Sequence, residues 1–124
     1  MADYTEKPKN WRDLPPGELA ALMNRKSEGY LPALLGFTLT SVAKERVVAR
    51  MAVQKHHLAP NDYLHAASVV ALADTVCGFA TIVNLPEGSG GFTTIELKTN
   101  FLGTTRDGAI LCEGRPAHIG RRTM

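Results

Sequence analysis

HAASVVALADTVCGFATIV, residues 65–83, is the stretch whose reading decides the fold. Val69, Val70, Leu72, Ala73, Val76, Phe79 and Ile82 leave hardly any side of it polar. The valines alone would suit a strand. The length and the alanines favour a helix, roughly 27 Å long at 1.5 Å per residue. A helix apolar all round must be wrapped by other structure.

A single acid interrupts this run, Asp74. An unpaired carboxylate in apolar surroundings costs several kcal/mol, or its pKa rises until it neutralises. Two readings stay open from the residues alone. Asp74 is a structural acid satisfied by a threonine or a backbone group, or it is a catalytic carboxylate at a crevice.

His65 opens the helix, nine positions before Asp74. That spacing is about 13.5 Å of helix and half a turn out of phase, so the two side chains cannot meet within one subunit. A site that uses both needs two antiparallel copies of the helix, hence a homodimer with sites between subunits. The first N–H groups of a helix lack intrahelical partners and carry partial positive charge. The Ala66 N–H is therefore a candidate oxyanion donor. The competing reading is that His65 and Asn61 only cap the helix and stiffen its loop.

The flanking periodicities fill in the rest. Pro15 and Pro16 precede Leu19, Leu22 and Met23 at helical spacing, which predicts a short amphipathic helix to about Lys26, ended by Gly29 and Pro32. From Gly36 the period becomes two. Phe37, Leu39 and Ser41 form one face, and Val47, Ala49, Met51 and Val53 form one face of a second strand. A polar loop, 56–64, leads to the long helix. Beyond it, 86–91 is a loop, 92–102 (FTTIELKTNFL) alternates as a strand, and Arg106-Asp107-Gly108 turns into a further strand from Ala109 to about His118. The result is an α+β chain, an antiparallel sheet curled around one helix.

The 124 residues make one domain's worth of chain. Fourteen Lys+Arg against 12 Asp+Glu leave a net charge of +2, too little for a polyanion binder driven by bulk charge. Two cysteines are too few for a disulfide scaffold or a four-thiolate zinc site. Cys77 reads as a small core residue, and His56-His57 have no carboxylate or Cys at metal spacing. No apolar run of about 18 residues is free of charge, so no membrane span is expected. The polar residues 1–13 have no apolar signal segment and are expected to be loosely held, with a reducing cytoplasm as the default setting.

Residues 58–78, LAPNDYLHAASVVALADTVCG, resemble the signature of hotdog-fold acyl-CoA thioesterases of the phenylacetate-degradation (PaaI-like) type, relatives of the 4-hydroxybenzoyl-CoA thioesterases. That signature has an Asn or Gln, then HGG at a helix start, then an acid nine positions after the His. GFTTIELKTNFL, 91–102, resembles the edge strand that pairs subunits. DGAILCEGRPAHIGRRT, 107–123, resembles the strand after it. The resemblance covers roughly residues 35–124 as the hotdog domain, with 1–34 as an N-terminal segment. It implies acyl-CoA hydrolysis without a metal or cofactor, and self-association as a homodimer and further as a homotetramer. It implies no nucleic-acid or membrane partner.

The resemblance also implies roles. Asp74 is the base or nucleophile, Ala66 gives the N–H that polarises the thioester carbonyl, His65 orients that turn, and Thr94 helps hold the attacking water. Ala67 and Gly78 lie along the substrate. Arg121, Arg122 and Arg106 are the leading contacts for the coenzyme A phosphates, each an ordinary surface charge on the alternative reading. The chain departs from the pattern where HGG reads His65-Ala66-Ala67. The family's Asn or Gln position is Ala59, with Asn61 two residues on, and Gly78 supplies no hydroxyl. A hotdog domain also carries two more strands, expected from near Arg121 and missing from this chain, which leaves the helix partly uncovered. The rival function is a non-hydrolytic acyl-CoA or lipid-binding hotdog module. A hotdog hydratase is disfavoured, because that chemistry sets Asp and His about five residues apart.

Overall fold

The computed structural model describes residues 10–124. Residues 1–9, most of the stretch expected to be loosely held, lie outside the described residues. Trp11, at the end of that stretch, is buried in a single turn, Trp11–Asp13.

Helix α1 (Pro16–Lys26) begins with proline in its first turn, where the missing N–H is no loss, and ends with Arg25 and Lys26 against the dipole's negative end. It buries Leu19, Ala20 and Met23. Gly29 follows with φ 82°. One further helical turn, α2 (Leu31–Leu34), follows, so Pro32, expected to end α1, instead lies inside the first turn of α2.

Strands β1 (Phe37–Ala43) and β2 (Arg46–Ala52) pair antiparallel from Phe37–Met51 to Ala43–Arg46. Lys44-Glu45 is the two-residue turn between them. Strand β3 (Ala109–Gly114) pairs antiparallel with β2, giving the order β1-β2-β3. β1 is thus an edge, and α1 covers part of it. The Asn24 side chain donates to the Leu39 carbonyl and accepts from the Leu39 N–H, both at 2.9 Å, standing in for a neighbouring strand.

Three expectations about the sheet are corrected. The register slips between Leu39 and Ser41, so Val42 rather than Ser41 joins Phe37 and Leu39 on the buried face. β3 stops at Gly114, not near His118. Residues 92–102 form no strand, because a strand needs a paired backbone and this segment has no ladder partner among the described residues. It runs beside the long helix instead.

That helix, α3 (Ala66–Asn84), buries Ser68 against the His57 carbonyl at its start, and packs Leu72, Val76, Ala80 and Val83 toward the sheet. Together with Trp11, Leu19, Met23, Phe37, Val47 and Met51 these residues build one core, shared by the N-terminal segment and the sheet. Three strands cover only one stripe of the helix, so the expected wrapping all round is not found. Val69, Val70, Phe79 and Ile82 are half-buried, and Asp74 and Cys77 are exposed. Asp74 is therefore solvated rather than embedded. α3 is long and apolar enough for a membrane span by length and composition, but here one face is docked on a sheet. Gly114 lets Val76 pack close against β3, since a Cβ there would stand 2.7 Å from a Val76 methyl.

Candidate active site

The start of α3 is held by a compact hydrogen-bond network. His65 is the N-cap, and its Nδ1 accepts from the Ala67 N–H at 2.9 Å. The carbonyl of His57 accepts twice, from the His65 N–H at 2.9 Å and from Ser68 Oγ at 2.8 Å. His57 itself is buried. Its Nδ1 accepts from the Gln54 N–H at 2.9 Å, so the proton lies on Nε2, which donates to the Leu35 carbonyl at 2.6 Å. One neutral imidazole thus ties the end of α2 and the end of β2 to the turn that presents Ala66. The Ala66 N–H has no acceptor among the described residues, and the residue is exposed.

The loop before the cap is equally tied. Asn61 Oδ1 accepts from the Tyr63 N–H at 3.2 Å, a local turn contact. Asp62 takes φ 63°, a conformation that aspartate tolerates better than most residues. The Leu64 N–H donates to the Thr105 carbonyl at 2.9 Å, and the Arg106 guanidinium lies 4.1 Å over the Tyr63 ring.

The middle of α3 forms a second cluster. Asp74 Oδ1 accepts from Thr94 Oγ1 at 3.1 Å, and Oδ2 has no hydrogen-bond partner among the described residues. One turn further on, Gly78 meets the Phe92 ring, with a Cβ there falling 3.2 Å from Cζ. These two bridges join the helix to the extended segment, and Asp74 lines a hollow on either side. One, of about 340 Å³, has Pro32, Phe79, Ile82 and Phe92 on its walls. The other, of about 410 Å³, has Glu96, Lys98, Arg121 and Arg122 among its lining residues and shares Phe92 with the first. Cys77, expected in the core, instead lies exposed on the lining of the larger hollow; partial shelter of its thiol there, and then the Asp74 charge, push its pKa up.

The structure therefore brings Asp74, Thr94 and Gly78 together, and Arg121 and Arg122 line the same larger hollow. It does not bring His65, Ala66, Ala67, Asn61 or Arg106 to them, since none lines either hollow. Ala66 and Asp74 are about 12 Å apart along one helix. Sequence reasoning does not single out Ser68 or Phe92, and it weighs His57 only as a metal ligand. Ser68 at the third helical position was the available signal, as a hydroxyl there readily bonds the incoming loop.

The profile of the thioesterase superfamily matches residues 61–124, the second half of the chain from the loop before the α3 cap onward. A Deinococcus radiodurans protein named as a candidate esterase is 31% identical over 121 residues, spanning 94% of this chain and 76% of its own. Among solved structures, a single-site mutant of a Pseudomonas aeruginosa thioesterase superposes with TM-score 0.77 at 24% identity, over 82% of this chain and 73% of that one. A Ralstonia eutropha candidate thioesterase related to phenylacetic acid degradation superposes with TM-score 0.66 at 22% identity, over 82% and 79%. The chain belongs to the thioesterase superfamily and has its hotdog fold, a long helix against an antiparallel sheet.

Proposed function

We propose that this chain hydrolyses an acyl-CoA thioester to a free acid and coenzyme A, with each site shared between two subunits. The observation that carries this reading is the Asp74 carboxylate. It is exposed on an otherwise apolar helix, steered by Thr94 at 3.1 Å, and set between two hollows in a thioesterase-superfamily chain. The resemblance of residues 58–78 to the signature of acyl-CoA thioesterases supports an acyl-CoA substrate.

On this reading Asp74 takes a proton from water, or attacks the thioester carbon itself. In the first case the water oxygen bonds to the carbonyl carbon, the C–S bond breaks, and the coenzyme A sulfur leaves with the proton. The carbonyl oxygen gains charge as this happens. The free Ala66 N–H at the helix start suits it, strengthened by the helix dipole. Since Ala66 and Asp74 of one chain sit about 12 Å apart, the donor comes from a second, antiparallel α3. Arg121 and Arg122, exposed beside the larger hollow, suit the coenzyme's phosphates.

The test is release of free thiol from short, long and aromatic acyl-CoAs. Asp74→Asn is expected to lower turnover by at least about a hundredfold while acyl-CoA binding persists. Binding without turnover by the unsubstituted protein would instead make the chain an acyl-CoA-binding module. The alanines at 66 and 67, where relatives of this type carry two glycines, give that second reading its footing.

A further inference from the structure

Two adjacent histidines end the single turn Lys55–His57, and they are treated differently. His56 is exposed, whereas His57 is only 1% exposed and lines neither hollow. A buried imidazole is costly unless both nitrogens find partners. Both do here, Nδ1 accepting from the Gln54 N–H at 2.9 Å and Nε2 donating to the Leu35 carbonyl at 2.6 Å. Only the neutral ring with its proton on Nε2 satisfies both. The other tautomer sets donor against donor at Gln54 and acceptor against acceptor at Leu35.

The backbone of the same residue reaches the helix start. The His57 carbonyl accepts from the His65 N–H at 2.9 Å and from Ser68 Oγ at 2.8 Å. His65 is the N-cap and Ser68 the third residue of α3, so these two donors flank Ala66. An acceptor held still between them fixes the direction of the Ala66 N–H. The ring is what holds it still, because it pins residue 57 to the chain just beyond β2 on one side and just beyond α2 on the other. Aim matters at such a donor, since a misplacement of about 1 Å near a reacting centre can cost about a hundredfold in rate.

Resting on the reading of the Ala66 N–H as the oxyanion donor, we infer that His57 is a positioning residue for the hydrolysis, a buried strut that acts through its own carbonyl on His65 and Ser68. It shapes the barrier and leaves substrate binding alone.

The experiment measures kcat and KM on one acyl-CoA for the unsubstituted protein, His57→Ala, His57→Asn and His57→Gln. The Asn amide oxygen falls near the place of Nδ1 and keeps the Gln54 bond, and the Gln amide nitrogen falls near that of Nε2 and keeps the Leu35 bond. His57→Ala is expected to lower kcat by about a hundredfold and each one-bond variant by about tenfold, with KM moving less than about twofold. Leu19→Val, in the core of α1, is the control for lost stability and should keep its kcat below its unfolding temperature. If His57→Ala does not fold, as judged by circular dichroism, the two one-bond variants decide. If they do not fold either, Ser68→Ala decides, since it loosens the same carbonyl and keeps the ring. Folded variants that lose stability with kcat unchanged overturn the inference and leave the hydrolytic reading standing. If the unsubstituted protein turns over no acyl-CoA, the hydrolytic reading fails, and amide hydrogen exchange then judges the strut. The His65, Ala67 and Ser68 amides must exchange about tenfold faster in the folded His57 variants than in Leu19→Val, and equal rates overturn it.

Discussion

Asp74 was legible because it is the one charge in nineteen residues of apolar sequence, and its importance needed no coordinates. Its exposure was not legible. Apolarity around a helix says that cover is required, not which face of this chain receives it. Thr94 came from family resemblance, and its 3.1 Å bond to Asp74 is a long-range contact that local periodicity does not encode. The neighbouring thiol gives a test at this scale. Burial, and secondarily the Asp74 charge, disfavour the Cys77 thiolate and raise its pKa. The thiolate is the reactive form, so alkylation of Cys77 at neutral pH should be slower than that of a free thiol and should accelerate only at higher pH. Asp74→Asn removes the second cause and should move the rate profile to lower pH. Mass-spectrometric alkylation rates on a Cys112→Ser background read this directly. An unmoved profile would mean that the carboxylate does not act on Cys77.

At the scale of elements, period-two and helical spacing recovered α1, β1, β2 and α3 to within a residue or so. What they missed was relational. The slip between Leu39 and Ser41 is a property of two backbones in register, and β1 alone reads as regular alternation. Residues 92–102 alternate just as well, yet a ladder needs a partner that no residue pattern supplies. His57 was hidden for a similar reason. A histidine beside another histidine suggests metal chemistry, whereas this one is a buried crosslink among three segments. Ser68→Ala removes one of the two bonds to the His57 carbonyl and is expected to cost about 1 kcal/mol. His65→Ala removes the cap at a similar cost of about 1 kcal/mol. Urea unfolding measures both. On the proposed mechanism, both should also lower kcat more than they raise KM, because a slack turn aims the Ala66 N–H poorly.

At the scale of the whole molecule, one chain holds two half-sites that point to different places. The helix start carries a free N–H, and the helix middle carries the acid. The spacing of His65 and Asp74 already required a second subunit, if both serve one reaction. Mixed subunits test the assembly. Ala66→Pro deletes the candidate donor at the first helical position, where proline is well tolerated. Asp74→Asn deletes the acid. Each variant alone should be nearly inactive. Random mixing gives half heterodimers with one intact site of two, so about a quarter of normal activity should return if sites are shared. No return of activity would count against the shared geometry. Acid stability belongs to this scale as well. Hydrogen bonds from Arg46 and Arg115 hold the Glu113 carboxyl below the usual carboxylate range. The folded state is therefore favoured above the ordinary carboxylate pKa, and that benefit fades as pH falls through the lowered value. Glu113→Gln should flatten the acid limb of a plot of Tm against pH.

The bare backbone at Gly114 carries a lesson for reading mutational data. Val76 rests almost directly on it, and Val76 stands two residues after Asp74 on the same helix. A side chain at 114 would meet the Val76 methyl at 2.7 Å, so it is expected to displace Val76 and loosen the packing of α3 two residues beyond the acid. A survey scored by turnover alone would assign this glycine to the chemistry, when its part is purely mechanical.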